Sequence, residues 1–424
     1  METNGALEGV RVIDLATVVM GPYATQILGD LGADVIKVEA PSGDSARLAP
    51  PARHPGMGHL ALNVNRNKRS VTLDLKSAAG KAAFTDLVAT ADILVTNMRP
   101  GALDRLGVSH AELAEINPRL ITCRAAGFRS DSELADRAAY DEIVQAASGM
   151  TDIVRRATGT PSYVPTVLAD KVCALTIAYS VLAALVHQRA TGSGQEIEVP
   201  MADTMFAFTL VEHLSGHTFV APDNATEHAD RATTGFSRSL AAGHAAVETA
   251  DGWACILPYS PRNITDFFAA AGRDDLAADP RFTERGELSR HQGELYAEIA
   301  AIAPTRTTGD WAALCAEHSI PFAPVLDLET AHEDPYVVDG GLLTTEEHPS
   351  EGTYRSIGFP VRLSGTPGGL RTPTPRQGQD TADVLRELGR TDEQIAEIAG
   401  DAAQRSSTGG TGDAAQRSST GGTA

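Results

Sequence analysis

The feature that most constrains the fold lies in the first forty residues. Val10-Arg11-Val12-Ile13-Asp14-Leu15 reads as a strand, Gly21-Pro22 punctuates it, and Ala24, Ile27, Leu28 and Leu31 recur at helical spacing up to Gly32. Val35-Ile36-Lys37-Val38-Glu39 then reads as a second strand. Strand, helix and strand in so short a span form a βαβ unit, which places its strands parallel in one sheet with helices on the faces. Further strands are predicted at 70–75, 93–95 and 120–123, separated by helical stretches such as 80–90 and 109–116. The chain reads as α/β with a Rossmann-like parallel sheet.

The alternation suggests a dinucleotide enzyme with Glu39 as the ribose-binding acid, but the glycines are wrong for it. The turn after the first strand, Ala16-Thr17-Val18-Val19-Met20-Gly21-Pro22, has no GxGxxG to let a backbone approach a pyrophosphate, and no Walker loop occurs elsewhere. NAD is not implied. After about Asn224 the texture changes: residues 248–259 read as a strand pair around Asp251-Gly252, and 263–271, 287–303 and 308–318 as helices. The expected organisation is a large domain over 1–224, an inserted smaller α+β domain over 225–325, and a return to the large domain over 326–399, mostly loops before a helix at 381–388. From Gly400 a polar dodecamer, GDAAQRSSTGGT, is repeated verbatim from Gly412, so 400–424 read as a disordered tail.

Charge and cysteines narrow the partners. With 35 basic against 55 acidic residues the formal charge is −20, which repels nucleic acid and anionic membranes. Cys123, Cys173, Cys255 and Cys315 form no CxxC pair and follow no secretory leader, so they read as buried thiols in a reducing cytoplasm. The apolar run 172–186 is about fifteen residues long, short of the ~20 that span a bilayer, and reads as a helix buried on all sides.

No HExxH, GxSxG or paired His/Cys ligand spacing appears, so metal and serine hydrolase chemistry has no starting point. His213 and His217 stand four apart but no third ligand follows, and they read as structural or pocket histidines. Asp170, in Val164-Pro165-Thr166-Val167-Leu168-Ala169-Asp170-Lys171, sits at the head of the apolar helix. It can be a helix cap, held ionised by the dipole and free N–H groups, or a nucleophile whose carboxylate forms a covalent intermediate.

Several stretches in order carry a resemblance. They are LEGVRVIDL from Leu7, GADVIKVE from Gly32, NRNKRSVTLDLK from Asn65, NMRPGALDRLG from Asn97, Tyr140-Asp141 with QAASG from Gln145, and TGSGQ from Thr191. Together they resemble the family III CoA-transferases, the CaiB/BaiF group that includes formyl-CoA and carnitine CoA-transferases and α-methylacyl-CoA racemases, over about residues 7–399. The resemblance implies an interlocked homodimer that takes acyl-CoA and a small carboxylic acid, with coenzyme A as cosubstrate and neither metal nor NAD. It makes Asp170 the nucleophile, reacting through an aspartyl anhydride and an aspartyl-CoA thioester. It assigns CoA contacts to Val18, Val19, Leu73, Lys76, Asn97, Met98 and Arg105, with Tyr140 and Asp141 as substrate contacts or a second base.

Departures from the family sort its activities. Racemases of the group carry His-Asp where this chain has Tyr140-Asp141, and a phenol of ordinary pKa near 10 is poorly matched to α-proton exchange near neutral pH. Formyl-CoA transferases have Gln at the position of Val19 and a glycine-run loop in the second half, both missing here. Basic residues that some relatives use for phosphate fall on Ala40 and Ala126, with Arg124, Arg129 or Arg137 as substitutes. CoA transfer is the leading expectation. Racemisation of a 2-methylacyl-CoA and a non-catalytic CoA-binding protein are the alternatives.

Overall fold

The computed structural model describes residues 5–220, 233–284 and 286–408. Two compact units emerge, one from 1–148, 165–206 and 336–424, the other from 149–164 and 207–335. The second thus takes in segments on both sides of the 225–325 span expected from the sequence.

In the first unit the chain runs β1 (Arg11–Leu15), α1 (Met20–Asp30), β2 (Asp34–Glu39), α2 (His59–Val64), β3 (Lys68–Thr72), α3 (Ala78–Ala89), β4 (Ile93–Thr96), α4 (Pro100–Leu106), α5 (His110–Ile116), β5 (Ile121–Ala126) and α6 (Asp141–Ala147). After α7 (Met150–Thr158), which belongs to the second unit, come α8 (Leu168–Thr191) and β6 (Glu196–Pro200). The six strands order as β3-β2-β1-β4-β5-β6, every pair parallel. That order reverses direction between β1 and β4, the point at which open α/β sheets place ligands beyond the strands' carboxyl ends. The inner strands β1, β2, β4 and β5 are buried on both faces, as a sheet covered on both sides requires, and Ile13, Ile36, Val71, Leu94, Phe84 and Leu87 meet in one core.

α9 (Met201–His213) links the units in sequence. In the second unit β7 (Val247–Glu248), β8 (Trp253–Ile256) and β9 (Phe322–Pro324) make an antiparallel sheet. Helices α10 (Pro261–Ala270), α11 (Asp274–Ala277), α12 (Pro280–Thr283), α13 (Gln292–Ile302) and α14 (Thr308–Glu317) surround a separate core of Phe267, Phe268, Phe282 and Trp311. The last stretch returns to the first unit as α15 (Pro335–Asp339), the hairpin β10 (Leu343–His348) and β11 (Gly352–Ile357), α16 (Thr381–Glu387) and α17 (Asp392–Thr408). α17 continues into the first copy of the repeat, and the rest of that expected tail, 409–424, lies outside the described residues.

Two expectations need correction. The apolar helix has 24 residues rather than about fifteen, so its length and composition suffice to span a bilayer. It is also not buried all round: Ala169, Cys173, Ala174, Ile177 and Val181 face inward, while Leu175 (53 % exposed), Tyr179 (62 %) and Val186 (72 %) form an open stripe. Spacings of four and seven residues put those three on one helix face. Among the cysteines, Cys255 is exposed; only Cys123, Cys173 and Cys315 are buried, and all four are free.

Candidate active site

The head of α8 lies at the carboxyl edge of the sheet, since the Cys173 thiol in its first turns is 4.0 Å from the carbonyl of Met201, just beyond β6. A helix start needs acceptors for its free N–H groups, and here the N-cap is Val167, whose side chain has none. Asp141, the first residue of α6, supplies them from 28 residues away. Its Oδ1 accepts from the N–H groups of Ala169 (2.6 Å) and Asp170 (3.2 Å). Its Oδ2 accepts from Gln145 Nε2 at 2.5 Å, and that amide also lies 3.4 Å from the Thr166 carbonyl. Asp141 is therefore the cap that sequence reading sought at Asp170.

Asp170 stands two residues into the helix, half-buried, and its carboxylate makes no hydrogen bond or ion pair among the described residues. Burial pushes its pKa up to about 6, and the charges of Asp141 and Glu142 add to the push. The sequence expectation that dipole and N–H groups would hold it well ionised fails for a local reason: Asp141 has taken those N–H groups and brought a like charge with it. Above pH 6 Asp170 is still mostly ionised, and a carboxylate poorly solvated and unpaired is a stronger nucleophile than one held by cations. Cys173, one turn on, is no rival, because burial first and Asp170 second push its thiol up to about 12. Tyr140 immediately precedes α6 and is 70 % exposed.

The residues that the resemblance assigns to CoA follow three parallel strands at the same edge. Val18 and Val19 lie between β1 and α1, Leu73 and Lys76 between β3 and α3, and Asn97 and Met98 between β4 and α4, which itself carries Arg105. Asn97 joins two of these turns across the switch point: its Oδ1 accepts from the Thr17 N–H (3.0 Å) and its Nδ2 donates to the Thr17 carbonyl (2.9 Å). Val18 has φ +70°, the left-handed region, where a β-branched residue costs about 1–3 kcal/mol. Leu73 is buried in the core, Met98 is half-buried against it, and Val19 is buried. Lys76 and Arg105 are exposed and unpaired with any acid among the described residues, as phosphate contacts need to be. Arg124 instead faces Glu196 and Glu198, and Arg129 faces Asp131 and Asp203, so of the three substitute arginines only Arg137 is exposed without an acidic partner among the described residues.

Glu39, in the place of a ribose-binding acid, is consumed inside the protein. Arg47 grips it with two 2.7 Å bonds and Ser70 Oγ donates at 2.8 Å. His213 is structural, its Nδ1 accepting from the Phe236 N–H at 3.1 Å, and among the described residues no cluster of ligating side chains could hold a metal. Sequence reading missed Arg47, Lys37 and Asp44 as site-building residues. Their signal was a lysine and a glutamate inside an otherwise apolar strand, Val35-Ile36-Lys37-Val38-Glu39, where charges survive burial only when paired.

Comparison with known proteins supplies the family. Residues 7–381 match CoA-transferase family III. An acyl-CoA transferase of Fusarium pseudograminearum is 30% identical over 94% of this chain and 88% of its own length. A formyl-CoA:oxalate CoA-transferase of Escherichia coli O157:H7 is 30% identical over 92% of this chain and 97% of its own. Among solved structures, Rv3272 from Mycobacterium tuberculosis superposes with TM-score 0.76 at 29% identity, covering 90% of this chain and 99% of that one. A CaiB/BaiF family protein from Brucella suis gives TM-score 0.76 at 26% identity over 91% and 100%.

Proposed function

Because this chain belongs to CoA-transferase family III, we propose that it carries CoA from an acyl-CoA thioester to a free carboxylic acid on the side chain of Asp170. The observation that carries this reading is the state of that carboxylate: half-buried, unpaired, pushed up to about 6, and fixed at the head of a helix that another residue caps.

The chemistry follows from one carboxylate replacing another. The Asp170 carboxylate adds to the thioester carbonyl, the C–S bond breaks, and CoA thiolate leaves a mixed anhydride. The thiolate attacks the aspartyl carbonyl, expels the donor acid as carboxylate, and forms an aspartyl-CoA thioester. An acceptor carboxylate repeats the first step on that thioester. The released thiolate then attacks the acceptor's acyl carbon and frees Asp170. Each step exchanges one activated acyl bond for another, so the site must exclude water. Lys76 and Arg105 supply positive charge for the CoA phosphates of a net acidic protein.

Asp141 is ill-placed as a second base for racemisation, because its oxygens already accept three N–H bonds. Val19 offers no amide to a small polar acid, which argues for an acid other than oxalate. The open stripe Leu175, Tyr179 and Val186 on α8 is the face that a second copy would cover if the chain pairs as a homodimer.

The test is Asp170→Asn, which keeps shape and removes the nucleophile. Transfer from acetyl-CoA or succinyl-CoA to a panel of labelled acids should fall by at least about a thousandfold while far-ultraviolet dichroism is unchanged. A transfer rate equal to that of the parent would refute the role.

A further inference from the structure

The turn Ala16–Val18 is fastened at nearly every polar backbone group. The Ala16 N–H donates to Asp14 Oδ1 at 3.1 Å, and its carbonyl accepts from Lys37 Nζ at 2.8 Å. Thr17 is clasped on both sides by Asn97. The Val18 N–H donates to Asp44, 3.0 Å from Oδ1 and 3.3 Å from Oδ2. Asp44 in turn accepts from the Ala46 N–H at 3.0 Å and pairs with Lys37 Nζ at 3.0 Å. Beneath them Lys68 Nζ reaches Asp14 at 2.8 Å, the Pro22 carbonyl at 2.7 Å and Asn65 at 2.9 Å. Lys37 and Asp14 are fully buried and Asp44 is 2 % exposed.

A dinucleotide-binding turn reaches its shape with glycines, which accept left-handed backbone freely. This turn holds a valine there instead, at φ +70°. A conformation that the residue itself resists persists only where its surroundings over-determine it. The fastening is dense at the one turn that crosses the switch point of the sheet.

We infer that Lys37 and Asp44 are positioning residues of the acyl-CoA site: buried side by side, Lys37 through its bond to the Ala16 carbonyl and Asp44 through the acceptor it gives the Val18 N–H set the β1–α1 turn in its CoA-receiving shape before CoA arrives. This rests on reading that edge of the sheet as the acyl-CoA site, and it adds residues that touch no substrate. The cage substitutes for missing glycines, and it explains why a strongly charged set is buried under a loop rather than exchanged for apolar packing.

Asp44→Asn and Asp44→Ala separate positioning from stability. Asparagine keeps an acceptor for the Val18 and Ala46 N–H groups and loses the charge facing Lys37; alanine loses both. Both variants should melt below the parent. Titration calorimetry with CoA should show a dissociation constant within about threefold of the parent for asparagine and weakened about tenfold or more for alanine, with the acceptor acid's KM unchanged. Equal CoA affinity in the parent and a folded alanine variant would overturn the inference and leave Asp170 chemistry untouched. No CoA binding by the parent would strike the reading of the site itself and this inference with it. Where alanine fails to fold, hydrogen exchange on the parent decides. Without CoA, amides of residues 16–18 should be protected about as strongly as those of β1; rapid exchange until CoA is added would overturn the idea.

Discussion

The carboxylates under the β1–α1 turn and the carboxylate at the head of α8 are withdrawn from water at the same edge of one sheet, with opposite outcomes. Burial alone would push Asp14 up, but Lys37 and Lys68 outweigh it and hold it below the ordinary aspartate range. Burial would likewise raise Glu39, and the Arg47 guanidinium overrides it. At Asp170 burial meets no cation, and Asp141 and Glu142 add to the push, up to about 6. The difference lies in the company kept. Paired acids fix backbone; the one left without a cation is free to react.

Removing charge from the two regions should therefore move stability in opposite directions. Lys37→Met leaves Asp44 buried without its cation and should cost about 3–5 kcal/mol in denaturant titration. A loss under 1 kcal/mol would mean that the cage is ornamental.

Asp170→Asn should instead stabilise the fold by about 1–2 kcal/mol at pH 8, after allowance for the partial exposure of the group. The sign follows from linkage. A carboxyl whose folded pKa lies above its unfolded value penalises the fold fully above the folded pKa, and the penalty fades as pH falls through about 6 toward 3.8. The gain over the parent should be largest at pH 8 and shrink at pH 5. The parent's transfer rate should lose about tenfold per pH unit below 6 as the nucleophile takes up its proton. A variant less stable than the parent at pH 8 would break the contrast between the regions.

Asp141→Ala sharpens it, since that residue belongs to the reactive region yet acts as structure. Losing a cap should cost about 1–2 kcal/mol in thermal melts. Transfer should drop about tenfold through misplacement of Asp170 rather than vanish.

The sheet was legible because parallel strands announce themselves as apolar runs between helical segments, and predicted strands at 93–95 and 120–123 fall within one to three residues of Ile93–Thr96 and Ile121–Ala126. β6 was missed because Glu196-Ile197-Glu198-Val199-Pro200 is short and half polar, as an edge strand can be. The β10–β11 hairpin was hidden by its charges, Glu346, Glu347 and Arg355. Asp170 was visible from its place before an apolar run. Its cap was not, because Asp141 lies 29 residues upstream and no local spacing links the two. The cage residues were visible only as anomalies, charges in an apolar strand whose partners, Asp44 and Arg47, come from the loop beyond it.

The central claim, that Asp170 itself carries the acyl and CoA groups, is open to direct observation. The protein is incubated with acetyl-CoA without acceptor acid, quenched in acid, digested, and mapped by mass spectrometry. An aspartyl-CoA thioester on the peptide containing Asp170, lost in Asp170→Asn and released by added carboxylic acid, is the expected result. A protein that transfers CoA while this peptide stays unmodified, or whose adduct maps to another residue such as the exposed Cys255, would contradict it.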